Sequence, residues 1–286
     1  MKSLKQLIKA KGTVWAAGAF DALSARLIQE AGFDALLTSG FGISSAFLGE
    51  PDTELYTMTE NLAVVRNVCN AVTIPVIADI DTGYGNPVSA MRTLREFENA
   101  GASAVIMEDQ VSPKRCPCSS DQIDIISMEE AVNKIRAVVA VRKNPDFLII
   151  ARTDAVEPAE AIRRGRAYVA AGADIIQPIS KCFKDFAGLQ AMRQGCGVPL
   201  SLQLLAWLES DLDRKQIEEV AALATYPLVA LMSATQAMRA NLAALAAAKS
   251  SKALPQPVTG LHDFNDFIGF PRIDALQREY MSNAQA

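Results

Sequence analysis

Short apolar, β-branched runs alternate along the chain with longer segments of helical period. The runs are VWAAGAF from Val14, ALLTSG from Ala35, PVIADID from Pro75, SAVIMED from Ser103, FLIIARTD from Phe147, DIIQPIS from Asp174, PLSLQL from Pro199 and LVALMS from Leu228. They are apolar almost throughout, with no inside/outside alternation, which fits parallel strands buried on both faces. Between them lie DALSARLIQEAG, MTENLAVVRNVCNAV, SMEEAVNKIRAVVAVRK and EPAEAIRRGRAYVAAGA, and TQAMRANLAALAAAKSS follows the last. Ser127 ahead of Glu129 and Glu130 marks a helix start. Ala31-Gly32, Ala100-Gly101 and Ala171-Gly172 each place a glycine where a helix stops before a strand.

Eight such alternations predict an α/β fold, a (β/α)8 TIM-type barrel occupying residues 1–286 as a single domain. A doubly wound open sheet is the alternative; it needs fewer strands, and no GxGxxG follows the first one. Residues 255–286 fall outside the alternation and carry Phe264, Phe267, Phe270 and Tyr280, with Pro271 ahead of a final helix. An apolar C-terminal helical extension of this kind needs a surface to pack on, and a second subunit would supply one.

Composition narrows the function classes. Half of the 286 residues are hydrophobic, and the net charge of −4 gives no basic footprint for nucleic acid. No apolar run reaches the roughly 20 residues of a membrane span. The N-terminal MKSLKQLIKAKG reads as an amphipathic first helix and not as a signal peptide. Five scattered cysteines, Cys69, Cys116, Cys118, Cys182 and Cys196, argue against a disulfide framework and for a reducing, cytoplasmic setting.

Barrel chemistry gathers at the C-terminal ends of the strands. Reading those ends gives Ser39 and Gly40, Asp79 and Asp81, Glu108 and Asp109, Arg152 and Asp154, Gln177, Gln203 and Ser233. Crowded acids in an apolar setting repel one another, and a hard divalent cation removes that problem. If the strand runs regularly through them, Asp79 and Asp81 point to the same side. Helix capping or ion pairing by these acids remains open on spacing alone. Arg152 suits a carboxylate or phosphonate held by two hydrogen bonds, and equally a pair with Asp154 or another rim acid. Cys116 and Cys118 sit in SPKRCPCSSD, a loop placed to act as a lid, where Lys114 and Arg115 would lower a thiol pKa. Half of a zinc site and inert loop cysteines are the alternatives there. The single histidine, His262, lies in the tail and reads as structural.

ADIDTGYGN, MEDQVSPKRC and IIARTDA, in that order, together with LLTSGFGISSAFLGEPD and HDFNDFIGFP, make the chain resemble the isocitrate lyase/phosphoenolpyruvate mutase superfamily over nearly its whole length. The resemblance implies a barrel whose eighth helix is exchanged between paired subunits in a homotetramer, a dimer of dimers. It implies Mg2+, or Mn2+ in its place, held by Asp79, Asp81 and Glu108, with Asp52 beside them as outer shell or in catalysis. It implies that the Ser39-Gly40-Phe41 turn offers N–H groups to an α-oxocarboxylate, and that Arg152 binds a carboxylate or phosphonate.

Lyases of that superfamily carry K-[KR]-C-G-H in the gating loop, with the cysteine as acid–base group. Lys114-Arg115-Cys116 matches, and Pro117-Cys118 replaces Gly-His. Those lyases usually have glutamate where Gln177 stands and asparagine where Gln203 stands, residues that help bind the distal carboxylate of the substrate. The function implied is a Mg2+-dependent carbon–carbon lyase acting on a substituted malate- or isocitrate-like 2-hydroxy acid other than methylisocitrate itself, releasing pyruvate or glyoxylate and a second acid. The alternatives are oxaloacetate hydrolysis or decarboxylation, P–C bond chemistry on phosphonopyruvate, and a barrel that binds a small acid without turnover.

Overall fold

The computed structural model describes residues 3–281. Eight parallel strands close into a barrel in sequence order. They are β1 (Val14–Ala19), β2 (Ala35–Thr38), β3 (Val76–Asp79), β4 (Ala104–Glu108), β5 (Leu148–Thr153), β6 (Ile175–Pro178), β7 (Leu200–Gln203) and β8 (Ala221–Tyr226). Around them run α1 (Leu4–Lys11), α2 (Ala22–Glu30), α3 (Gly40–Ile43), α4 (Met58–Ala71), α5 (Pro87–Asn99), α6 (Met128–Val141), α7 (Pro158–Ala170), α8 (Phe186–Cys196), α9 (Trp207–Ser210) and α10 (Arg214–Val220). α11 (Val229–Ala248), α12 (Leu261–Ile268) and α13 (Phe270–Tyr280) complete the chain. The chain falls into two compact units, Met1–Met232 and Ser233–Ala286. The first contains the whole barrel.

The caps explain the boundaries. Ser127 accepts from the Glu130 N–H at the start of α6. Gly32, Gly101 and Gly172 all take positive φ after α2, α5 and α7, a conformation that costs a side chain about 1–2 kcal/mol. Two layers of core follow from strand parity. One residue set of the strands, including Val14, Ala16, Leu37, Ile77, Ile106, Ile150 and Leu223, packs with Leu4 of α1. Leu7 and Ile8 of α1 pack against the same cluster. The alternate set, such as Val105, Ile149 and Ile176, packs with residues of the surrounding helices.

The eighth strand corrects the sequence reading. β8 is Ala221–Tyr226, and the LVALMS run begins α11 instead. Pro227 ends the strand, and the apolar run beyond it continues into helical period. Ser233 therefore belongs to a helix, and Tyr226 closes the strand at the rim. No described helix is long and apolar enough to cross a membrane.

In the second unit, Asn241 pairs through its side chain with the backbone of Gln256 in both directions. Pro271 sits in the first turn of α13, as its missing N–H favours. His262 is exposed and faces Asp266 one turn on, at 3.0 Å. Leu261, Phe270, Ile273, Leu276 and Tyr280 are exposed.

Candidate active site

The turn after β3 builds the centre of the site. The strand stops at Asp79, and Asp81 and Tyr84 take positive φ of 49° and 57°. The regular strand expected through Asp81 is thus replaced by a tight turn, in which the Asp81 N–H donates to Asp79 Oδ1 at 3.1 Å. Aspartate tolerates this region because its short side chain bonds locally. Asp81 Oδ2 accepts from Tyr84 Oη at 2.7 Å, and Asn61 ties the Asp79 carbonyl to the same phenol at 2.8 Å each. Despite the broken strand the two carboxylates stay together. A Cβ on Gly40 would lie 3.2 Å from Asp79 Oδ2, 3.4 Å from Asp81 Oδ1 and 2.8 Å from Tyr56 Oη. Gly40 is the only residue type that leaves this cradle open. Gly40→Ala is expected to cost about 1–3 kcal/mol through overpacking, read as a lowered melting temperature.

The acids here are deeply buried, and Asp52, Asp81, Glu108 and Asp154 each pair with a cation of the chain. The Lys114 ammonium reaches Asp81 Oδ1 at 2.5 Å and Asp52 Oδ1 at 3.1 Å. Arg152 bridges Glu108 at 2.8 Å and Asp154 at 2.7 Å. The ion-pair reading of Arg152 is therefore realised, with one N–H donated to Asp154 and Glu108 held by charge alone. Arg115 instead points to exposed Asp124, 3.9 Å away. Asp109, adjacent to Glu108, turns to the other side of the strand. It accepts from Thr153, the Asp154 N–H, Arg164 and Tyr168 in a buried network. It is a structural acid and not a member of the cluster.

Burial governs the charges. Desolvation pushes Asp79 up to about 6, and raises Asp52 and Glu108, against the pull of Lys114 and Arg152. Asp52 Oδ1, Asp81 Oδ1 and both Glu108 carboxylate oxygens are buried and accept no hydrogen bond of good geometry. Orphaned carboxylate oxygens on an acid-rich rim are the hard donors that a divalent cation takes, so these residues fit such an ion. Their side chains are not drawn into a ligand sphere. Among the described residues no three His, Cys, Asp or Glu side chains converge as a metal group. Lys114 and Arg152 supply the compensating charge.

A cleft of about 70 Å3 opens beside the cluster, walled by Ser39, Phe41, Asp52, Asp79, Arg152, Gln177 and Gln203, with Cys116, Pro117 and Cys118 across it. Gln177 is held by the Ser201 hydroxyl at 2.8 Å. The loop expected to act as a lid spans residues 110–125 and is pinned at its base by a bridge between Gln110 and Ile125. Glu54 accepts from Thr82 Oγ1 (2.6 Å), Ser112 Oγ (2.7 Å) and the Lys114 N–H (2.9 Å). Lys181 holds the tip at the Ser120 carbonyl and Asp121. The sequence reading missed Glu54, Tyr56 and Tyr84; the paired glycines of DTGYG were the one local signal.

Cys116 is 5% exposed. Hydrogen bonding from Cys118 is the main force that holds its thiol down to about 5, with Lys114 assisting against desolvation. The Cys118 thiol is raised by the same hydrogen bond. A lowered thiol pKa means thiolate above it. Iodoacetamide should therefore label Cys116 at half its plateau rate near pH 5, where a free cysteine would need about 8.5. The tryptic peptide carrying it, followed by mass against pH, checks this; a midpoint above 8 would remove the thiolate.

This barrel, acid cluster and lid invite comparison with known proteins. The family model for phosphoenolpyruvate phosphomutase matches residues 4–251. The chain belongs to the phosphoenolpyruvate mutase/isocitrate lyase superfamily. The 2,3-dimethylmalate lyase of Eubacterium barkeri is 38% identical over 97% of this chain and 96% of its own length. The 2-methylisocitrate lyase of Shewanella oneidensis is 36% identical over 77% of this chain and 76% of its own. Among solved structures, a phosphonopyruvate hydrolase in complex with oxalate and Mg++ superposes with a TM-score of 0.87 at 30% identity, covering 98% of this chain and 100% of its own.

Proposed function

We propose that the chain is a carbon–carbon lyase that cleaves a substituted malate- or isocitrate-like 2-hydroxy acid into pyruvate or glyoxylate and a second acid, with Mg2+ (or Mn2+) at Asp79, Asp81 and Glu108. One observation carries the reading. Buried Cys116 lines one small cleft together with Asp52 and Asp79 of the carboxylate cluster and Arg152. A positioned acid–base thiol has a use when a carbanion is protonated or formed.

When bound, the cation supplies positive charge to the enolate that develops on the α-oxo acid. The chain does the rest. Arg152 and the first-turn N–H groups of Gly40 and Phe41, which a helix start leaves without intrahelical acceptors, orient the carboxylate beside the oxo group. Ser39 caps that turn through the Gly42 N–H. Asp52, made more basic by burial, takes the hydroxyl proton of the substrate. The carbon–carbon bond breaks, its electron pair stays on the departing acid, and Cys116 Sγ delivers a proton to that carbon. The proton shared between Cys116 and Cys118 supplies this delivery. In the reverse direction the Cys116 thiolate removes the same proton. Gln177 and Gln203 face the distal part of the substrate as neutral amides. The exposed apolar residues of α12 and α13 suit a second copy of the chain, consistent with the paired assembly expected from sequence.

The similarity to a phosphonopyruvate hydrolase keeps a second reading in view. NMR of the pure protein with Mg2+ against 2,3-dimethylmalate, 2-methylisocitrate, isocitrate, oxaloacetate and phosphonopyruvate separates the two. Release of pyruvate or glyoxylate from a branched acid, abolished by chelator, is the expected result. Turnover confined to oxaloacetate or phosphonopyruvate would overturn the lyase.

A further inference from the structure

The lid holds a second thiol, two residues beyond Cys116. Cys116, Pro117 and Cys118 form a tight turn, closed by the Ser119 and Ser120 N–H groups on the Cys116 carbonyl, each at 3.0 Å. Proline fixes the middle of that turn. Cys116 and Cys118 both line the cleft, and the neighbouring Cys118 thiol is the main influence that lowers the Cys116 pKa. Cys118 is exposed while Cys116 is buried. The remaining cysteines offer a contrast within the same molecule. Burial pushes the thiols of Cys69, Cys182 and Cys196 up to about 11, 12 and 11, so they stay protonated and inert.

We propose that Cys116 and Cys118 are a redox site: a peroxide converts them to an intramolecular disulfide, which closes the lyase reversibly until a dithiol reopens it. The steps balance. The Cys116 thiolate attacks one peroxide oxygen, the O–O bond breaks, hydroxide leaves, and Cys116 becomes a sulfenic acid. Cys118 sulfur then attacks the Cys116 sulfur. The S–S bond forms, and the sulfenic oxygen leaves as water with the proton from Cys118. Two thiols are oxidised by two electrons in all, and one peroxide is reduced to two waters. The exposed partner meets the sulfenic acid before a second peroxide can carry it to the irreversible sulfinic state. With its sulfur bonded to Cys118, Cys116 can neither hold nor deliver a proton; this half of the proposal rests on the lyase reading, and the disulfide itself does not.

The test uses the full-length protein with hydrogen peroxide at equimolar and tenfold excess. Trypsin cuts after Arg115 and Lys134, leaving both cysteines in one peptide. That peptide is expected to lose about 2 Da, resist alkylation, and regain both with dithiothreitol. In Cys118→Ser the loss is expected to vanish, replaced by a gain of about 32 Da that dithiothreitol does not reverse. The same gain in the parent, identical oxidation of parent and variant, or a bridge to Cys69, Cys182 or Cys196 would each overturn the site. Activity is followed separately on whichever acid the protein turns over. Turnover that persists with the disulfide complete would leave the redox site standing and remove Cys116 from the reaction.

Discussion

Cys116→Ser should lower kcat by about 10²–10⁴, the range that one positioned acid–base group contributes, while KM moves little. A serine hydroxyl is nearly isosteric, but its pKa lies far above any value at which it could share a proton with Cys118. Cys116 belongs to none of the packed apolar core clusters, so the variant should melt with the parent. The decisive readout is not the rate alone. In D2O the parent should exchange the α-hydrogens of the second product acid in the presence of the α-oxo acid, because the thiolate removes and returns that proton. The variant should not. A serine enzyme that keeps both turnover and exchange would show that another group moves the proton.

Arg152→Met should be the costliest single change to stability. It leaves Glu108 and Asp154 buried beside each other without their shared cation. Breaking a buried pair by removing one partner costs about 3–5 kcal/mol. For a chain of this size that is on the order of 10 °C in Tm. Arg152→Lys should recover only part of it, because an ammonium cannot span two carboxylates as the planar fork does. An added divalent cation should recover part of the loss in Arg152→Met, since Glu108 is one of its proposed ligands. Thermal melts with Mg2+ and with chelator measure all of this. A melting point within a degree or two of the parent would mean that Glu108 and Asp154 neutralise by taking up protons, and that Arg152 serves the ligand alone.

The barrel was legible because its strands are. Runs such as FLIIART and AVIME are apolar and β-branched on both faces, and only a buried parallel strand needs that. The eighth was misplaced for the same reason. AALATY is rich in alanine and carries little strand signature, whereas LVALMS looks like a strand until the helical period beyond it is counted. At the site, the residue types were visible and their partners were not. Asp109 and Glu108 are neighbours in sequence, yet the pleat sends them to opposite sides, one to Arg164 and Tyr168 and the other to Arg152. Lys114 reaches an aspartate 62 residues away, and Gln177 finds Ser201 across a strand. Such contacts are products of closure, and no local pattern encodes them.

Glu54 is the point at which the lid meets the turn after β3. One carboxylate holds a hydroxyl of that turn, a hydroxyl of the lid and the lid's own backbone. Lifting the lid must release the last two together, so the opening step is cooperative and carries its own barrier. If products leave by that opening, their release waits on that carboxylate. On such a protein the turnover number would report the lifetime of a latch, and the bond-breaking step would be hidden beneath it.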